Sequence, residues 1–173
     1  MAEPRSEPMS LEVEIVLENP DWSAIADLDG RIVHAARTAL EQAAVTVQPG
    51  CELAVLLTDD AAIGALNARW RNKDMPTNVL SFPAVALDRI ATSPVLGDIA
   101  LAYETCAREA QVEARPLVDH ILHLVVHGVL HLVGYDHQTE AEATTMEDLE
   151  RTILARLGVP DPYSAADSSG ASL

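Results

Sequence analysis

The order of apolar and polar residues predicts a mixture of strands and helices along the chain. In LEVEIVLE, which begins at Leu11, apolar and acidic residues alternate; this pattern favours a half-exposed strand at the edge of a sheet. The short apolar run LAVLLT, residues 53–58, indicates a buried strand. Two further strands are predicted: NVLSF, residues 78–82, and GDIALAY, residues 97–103. The intervening segments 71–77 and 83–96 are predicted loops.

Helical periodicity fills much of the remaining sequence. The predicted helices cover residues 24–46, 59–70, 104–114, 116–132 and 140–157. Thr58 is the predicted N-cap of the second helix, with Asp59 and Asp60 in its first turn. Thr139 and Glu142 form the T-x-x-E pattern of a capping box at the start of the last helix.

Chain length and element order predict one domain. The chain has 173 residues, of which 49% are hydrophobic, enough for a single core. Strands alternate with helices without a uniform pattern, so we expect an α+β or mixed α/β domain, with about four strands and four to five helices. The domain is expected over residues 11–163, between a flexible tail over 1–10 and a disordered tail over 164–173.

No apolar run has the length of about 20 residues that a membrane-spanning helix needs. The first ten residues, MAEPRSEPMS, contain no apolar segment of the kind found in signal peptides. A cytoplasmic location is therefore expected. Cys51 and Cys106 lie in apolar segments, far apart in sequence, and are predicted to be buried free thiols.

The charge of the chain disfavours general binding of polyanions. The formal net charge is -16, from 27 acidic and 11 basic residues, whereas contacts with phosphates need cations. Three of the bases, however, fall within NARWRNKD: Arg69, Arg71 and Lys73. These residues are either solvated cations near the end of a helix or a local site for phosphate groups.

The segment HGVLHLVGYDH, residues 127–137, has the spacing of a metal site. His127 and His131 are four residues apart on the predicted helix, so both imidazoles can reach one ion. Gly134 permits a sharp turn, after which His137 can return to the same point. Three imidazoles leave the fourth position of a zinc ion open, as in catalytic sites. We expect one Zn²⁺ per chain, although imidazoles also suit ions such as nickel.

The roles of the neighbouring polar residues are less defined. His123, one helical turn before His127, is a candidate for substrate binding or for supporting a metal ligand. An ordinary hydrogen-bonded histidine is an equal alternative, and the role of His120 is open. Asp136 either orients a ligand or caps the turn. Met146 has the helical spacing of a core residue.

The metal motif resembles the signature H-G-x-L-H-L-x-G-Y-D-H of the YbeY family, bacterial rRNA maturation factors described as zinc-dependent endoribonucleases. LNARWRNKDMPTNVLSFP, residues 66–83, is similar to a second block of that family, and LGDIAL, residues 96–101, to a third. Together with the last helix, which contains Glu147 and Glu150, the resemblance runs from about residue 12 to residue 163.

This resemblance implies a mixed α/β domain with a small sheet and a zinc site at the C-terminal end of a central helix. It implies that His127, His131 and His137 are the zinc ligands and that Arg71 is needed for catalysis. Trp70 stands where the family commonly has a tyrosine. The implied activity is single-strand-specific cleavage of rRNA precursors, at the 3′ end of 16S rRNA and in ribosome quality control.

Gly128 follows the first histidine, at the position where zinc peptidases carry their general-base glutamate. Peptide cleavage, in which a leaving amine must be protonated, is therefore disfavoured. Phosphodiester cleavage builds negative charge on oxygens, and the guanidinium of Arg71 can stabilise that charge. Arg69 and Lys73 are candidates for holding flanking phosphates. This hypothesis requires that Arg71 lie near His127 in the fold.

The sequence therefore favours an endoribonuclease over two alternatives, a zinc peptidase and a non-enzymatic ribosome-assembly factor stabilised by zinc. Two tryptophans, three tyrosines and one phenylalanine are few for recognition of RNA by base stacking. We therefore expect rRNA presented by a partner, the ribosome or a ribosomal protein, and neither DNA nor a membrane as a partner.

Overall fold

The computed structural model describes residues 11–73 and 75–164 of the chain. Its four strands are β1 (Glu12–Leu17), β2 (Glu52–Thr58), β3 (Val79–Pro83) and β4 (Val95–Ala102). They form one sheet in the order β1-β2-β4-β3. β1, β2 and β4 are parallel, whereas β3 pairs antiparallel with β4 and forms one edge. The predicted mixed sheet and the edge position of the first strand are confirmed.

Five α-helices lie in the described ranges: α1 (Leu28–Gln42), α2 (Asp60–Arg71), α3 (Tyr103–Val112), α4 (Leu117–Leu132) and α5 (Glu140–Arg156). The predicted α+β class is therefore confirmed. None of these helices has the length and apolar character needed to cross a bilayer. The tails predicted over 1–10 and 164–173 lie outside the described residues, apart from Ser164.

Helix α4 is the centre of the core. It packs against the sheet on one side and against α1 and α5 on another. Ile121, Val125 and Val129, spaced at four residues, are fully buried on this helix. Because α4 is held on several sides, the two histidines near its C-terminal end have a fixed position relative to the sheet.

Two predicted helix starts need correction. The first α-helix begins at Leu28 rather than residue 24, because a short 3₁₀ helix over Pro20–Ala24 places Trp22 in the core. The indole Nε1–H of Trp22 donates a hydrogen bond to the Thr58 carbonyl oxygen at 2.9 Å. Thr58 is the last residue of β2, and Asp59 is the N-cap of α2, accepting from the Ala62 N–H at 2.9 Å.

Other local predictions agree more closely with the structure. Thr139 and Glu142 form both hydrogen bonds of the capping box, each 3.1 Å long. Cys51 and Cys106 are buried free thiols. The segment over 83–96, predicted as a loop, instead contains a 3₁₀ helix over Leu87–Thr92 and the first residues of β4.

Gly128 lies where α4 packs closely against the sheet. A Cβ atom there would lie 3.1 Å from both Cδ1 of Ile99 and Oγ of Ser81. Ser81 also donates its hydroxyl hydrogen to the Gly128 carbonyl oxygen at 3.2 Å. A larger side chain at this position would therefore begin against residues of the sheet, and this close packing favours glycine there.

We expect Gly128→Ala to be less stable than Gly64→Ala by about 1–3 kcal/mol in the free energy of unfolding, because the methyl group added at Gly128 meets the buried Ile99 side chain at 3.1 Å. Gly64, within α2, is the matched control, since a Cβ atom added there would lie 3.7 Å from its nearest neighbour. Gly64→Ala should raise stability by up to about 1 kcal/mol through helix propensity. Urea denaturation measures both, and equal stabilisation by the two substitutions would contradict the close approach at Gly128.

Candidate metal centre

Three histidines converge at the C-terminal end of α4. His127 and His131 lie on its last two turns, and Gly134, with φ of +105°, lets the chain turn back so that His137 reaches them. One ring nitrogen from each histidine lies within 4.8 Å of the other two. The Nε2 atoms of His127 and His131 are 3.0 Å apart, close to the spacing of about 3.3 Å that a tetrahedral zinc ion with Zn–N bonds near 2.0–2.1 Å requires. These three side chains could therefore hold one ion.

The hydrogen bonding of His127 suits a metal ligand. Its Nδ1 lies 2.7 Å from Oε2 of Glu150, and because a carboxylate only accepts, Nδ1–H is the donor. The lone pair of Nε2 is then free for an ion, the arrangement commonly found for histidines that bind metals. Burial, followed by the neighbouring charges of His127 and His137, lowers the pKa of His131 and favours the neutral ligand form.

Glu150 is a buried carboxylate that joins three parts of the chain. The residue is fully buried on α5, and its Oε1 accepts hydrogen bonds from the Tyr163 hydroxyl and from Nε2 of His123, the latter at 2.8 Å. Burial by itself raises the pKa of Glu150, but hydrogen bonds and charge from His123 and His127 outweigh that effect and lower it to about 2. Glu150 is therefore ionised at neutral pH and orients His127.

Sequence patterns assigned no role to Glu150 beyond its place in the family resemblance. A signal was present, however, because Glu150 lies at helical spacing between Met146 and Ile153, on the apolar face of α5. An acidic residue on a buried helix face needs partners, and histidines on a neighbouring helix can supply them.

His123 and His120 lie behind the metal centre. His123 has 12% of its side chain exposed and contacts Glu150 and Tyr163, so it faces the hydrogen-bond network and does not line the cleft in front of the triad. Nε2 of His120, also buried, lies 2.9 Å from Oε1 of Glu109. The position of His123 thus corresponds to the supporting alternative considered from the sequence.

The catalytic hypothesis for Arg71 required proximity to the triad, and the structure meets this condition. Arg71 ends α2, and its Nη2 donates a hydrogen bond to the Ser81 carbonyl oxygen at 2.9 Å. Its guanidinium carbon lies 5.8 Å from the centre of the Phe82 ring. Arg71 and the three histidines line one cleft of about 450 Å³, together with Asn78, Val79, Ser81, Pro83, Asp136 and Gln138. A cationic side chain and the candidate metal ligands therefore share one cleft.

The other two bases of the cluster point elsewhere. The guanidinium of Arg69 lies 5.2 Å from the ring centre of Trp70, and neither residue lines the cleft. Lys73 is exposed and is also absent from the lining. Asp136 does line the cleft, and its Oδ1 accepts the His137 N–H at 2.8 Å, which stabilises the turn that carries His137.

The fold and the cleft together define a small α+β domain with a candidate metal site. Residues 18–158 match the family model described as Endoribonuclease YbeY, and the chain belongs to that family. The family resemblance inferred from the motifs is thereby confirmed, as is the expectation of an enzyme of the nuclease class.

Individual proteins agree with this assignment. A protein named Endoribonuclease YbeY from Rhodopseudomonas palustris is 53% identical over 156 residues, covering 89% of this chain and 82% of that protein. One of the same name from Azorhizobium caulinodans is 47% identical over 154 residues, with 89% and 97% coverage. The solution structure of TM1509 from Thermotoga maritima matches with a TM-score of 0.53 at 21% identity, over 84% of this chain and 91% of that one, which supports the fold.

We expect Glu150→Gln to weaken zinc binding by about 10- to 100-fold, the usual effect of removing a partner that orients a metal-binding histidine. Glutamine has one acceptor oxygen in place of two and cannot accept from both histidines with a carboxylate's charge. Competition with a chromophoric chelator measures the affinity. Glu147→Gln, one turn earlier on α5, removes the same charge and is the control; equal weakening by both would exclude a specific role for Glu150.

The stability of the chelator-treated chain should depend on Glu150 in acid. The pKa of this group is depressed from 4.5 to about 2, so its contribution is complete above about pH 4.5 and is lost as the pH falls towards 2. The difference in unfolding free energy between the parent and Glu150→Gln should therefore be largest near pH 5 and shrink towards pH 2. Urea titrations across this range test it, and a constant difference would contradict the depressed pKa.

Proposed function

We propose that this chain is a single-strand-specific, metal-dependent endoribonuclease that acts in rRNA maturation, including the 3′ end of 16S rRNA, and in ribosome quality control. The observation that carries the proposal is the shared cleft, which Arg71 lines together with the triad of His127, His131 and His137. The names of the relatives support the ribonuclease activity. The rRNA substrate and the metal are the finer parts of the proposal.

The three histidines are proposed to hold Zn²⁺, with Glu150 fixing the ring of His127 from behind. A bound zinc ion supplies a Lewis acid for a phosphoryl oxygen and lowers the pKa of a water molecule towards about 7. Arg71 supplies the second positive centre, and its Nη2 is already held by the Ser81 carbonyl. This anchor fixes the guanidinium at the cleft wall and leaves its other N–H groups for the scissile phosphate.

The cleft favours phosphodiester over peptide cleavage. Gly128 carries no carboxylate and packs against Ile99, so the residue after the first histidine cannot serve as a general base for peptide hydrolysis. Arg71 offers a fixed cation where a phosphate develops charge. Arg69 and Lys73, outside the cleft, are proposed to contact flanking phosphates of a longer RNA; His123 acts through Glu150, and Asp136 through the turn before His137.

We propose that the RNA is presented by the ribosome or a ribosomal protein in the cytoplasm. The net charge of -16 weakens long-range attraction for free nucleic acid. A partner that holds the RNA close to the cleft would offset this repulsion by raising the local substrate concentration. DNA and membranes are not proposed as partners.

Cleavage of single-stranded RNA by the zinc-loaded chain tests the proposed function. Arg71→Ala should lower kcat by about 10²- to 10³-fold, the typical effect of removing a group that stabilises transition-state charge. The kcat of Arg71→Lys should lie between those of the parent chain and Arg71→Ala, because lysine keeps the positive charge but lacks the planar guanidinium group. Treatment with a chelator should abolish cleavage, and zinc should restore it.

Two control variants accompany this test. Arg31→Ala changes an exposed arginine on α1 and should leave kcat and KM unchanged. Arg69→Ala should raise KM several-fold, increasingly at low salt, with kcat retained. Equal activity in the parent, Arg71→Ala and chelator-treated samples would identify a contaminating nuclease and refute the proposed site. Absence of cleavage by all of them, including in the presence of ribosomal subunits, would favour the assembly-factor alternative.

A further inference from the structure

The free edge of β3 forms one wall of the cleft. β3 pairs with β4 on one side only, at one end of the sheet order. The N–H of Ala102 donates to the carbonyl of Asn78, and the N–H of Ala84 donates to the carbonyl of Leu96. Because the bonded pairs of an antiparallel ladder alternate, the even-numbered residues of β3 bond to β4. The backbone groups of Val79, Ser81 and Pro83 therefore face outward, and all three residues line the cleft.

These outward groups form an ordered pattern of acceptors and donors. The N–H of Val79 is occupied by its neighbour, since it donates to Oδ1 of Asn78 at 2.7 Å. Pro83 has no N–H. Among the outward groups, Val79 and Pro83 therefore offer only carbonyl oxygens, which are acceptors. At Ser81 the carbonyl is covered by Arg71, so that position presents a guanidinium and a backbone N–H, which are donors.

The edge thus presents an acceptor at Val79, donors at Ser81 and an acceptor at Pro83. From Val79 to Pro83 it spans about 13 Å, at 3.3–3.4 Å per residue. A ribonucleotide strand has the complementary order, because phosphates, which accept, alternate with ribose 2′-hydroxyl groups, which donate. DNA lacks the 2′-hydroxyl groups, so the carbonyl oxygens of the edge would receive no hydrogen bond from its sugars. The position of Arg71 in the middle places the phosphate between two carbonyl acceptors.

We propose that the free edge of β3 selects RNA: Arg71 and the Ser81 N–H bind a phosphate, and the carbonyls of Val79 and Pro83 accept hydrogen bonds from ribose hydroxyls on its two sides. This inference rests on the proposed ribonuclease function and adds the element that distinguishes RNA from DNA. A duplex partner strand is not needed for this contact, since the edge contacts the sugar-phosphate backbone of one strand.

The test uses the zinc-loaded chain and a short single-stranded RNA whose cleavage site has been mapped. Single riboses on either side of the cleaved bond are replaced by 2′-deoxy or 2′-fluoro nucleotides, with the ribose at the cleaved bond left intact. At the positions that contact the edge, both replacements should raise KM by about 2- to 12-fold, the value of one net hydrogen bond, with kcat nearly unchanged. Fluorine keeps the sugar conformation of RNA but cannot donate a hydrogen bond, so it separates donation from sugar shape.

A pair of substitutions at Ser81 tests the edge from the protein side. Ser81→Pro removes the outward N–H, at a strand-edge position where proline is tolerated, and should raise KM for RNA by a similar factor. Ser81→Ala keeps the backbone N–H and removes only the hydroxyl bond to Gly128, so it measures the effect of the side chain alone, and its KM should rise less than that of Ser81→Pro. Circular dichroism and thermal unfolding show whether each variant is folded. If Ser81→Pro does not fold, the 2′-deoxy and 2′-fluoro RNAs still test the proposal with the parent chain.

The outcomes separate this proposal from the function on which it rests. Full binding of the 2′-fluoro RNA, with loss only for the deoxy RNA, would show recognition of sugar shape and overturn the hydrogen-bonding role of the edge. Unchanged KM at all tested positions would overturn it as well. If the parent RNA is not cleaved, the proposed function fails; fluorescence anisotropy with the same oligonucleotides would then show whether the edge still prefers RNA over the fluoro and deoxy forms.

Discussion

The candidate metal centre depends on one buried charge. A carboxylate removed from water is costly unless donors surround it, and Glu150 has three: His123, His127 and Tyr163. These donors come from α4 and from the segment after α5, so the same contacts fix how the last helix lies against the central one. The ring of His127, which lines an open cleft, is thereby connected to the core of the domain.

Positive charge in this protein is placed locally, since the chain as a whole is strongly acidic. Arg71 is positioned by a helix end, a backbone carbonyl and an aromatic ring, which together restrict a side chain that is usually mobile. Phosphate chemistry therefore needs no broad basic surface here. The acidic remainder of the surface disfavours nonspecific RNA and leaves selection to the cleft and to whatever holds the substrate.

The parts of the site that are local in sequence could be predicted, and the parts that depend on packing could not. The spacing of His127, His131 and His137 determines their convergence almost by itself, given a helix and Gly134. Glu150 is 23 residues from His127, and its link to the triad depends on how α5 packs against α4. The order of the strands is likewise nonlocal, so the sequence could predict four strands but not that β3 would lie beside the triad. At the start of α2, Thr58 and Asp59 are both residues that commonly cap helices. Because β2 extends through Thr58, Asp59 is the N-cap.

An open strand next to a functional cleft carries a risk of aggregation, because an unpaired edge can accept a strand from a second molecule. In β3 the side chain of Asn78 covers one amide, Arg71 covers one carbonyl, and Pro83 lacks an amide altogether. An incoming β-strand would find too few matching groups to form a continuous ladder. The cleft can therefore remain accessible to an extended polymer of a different chemistry while the protein stays protected from fibril-like self-association and domain swapping.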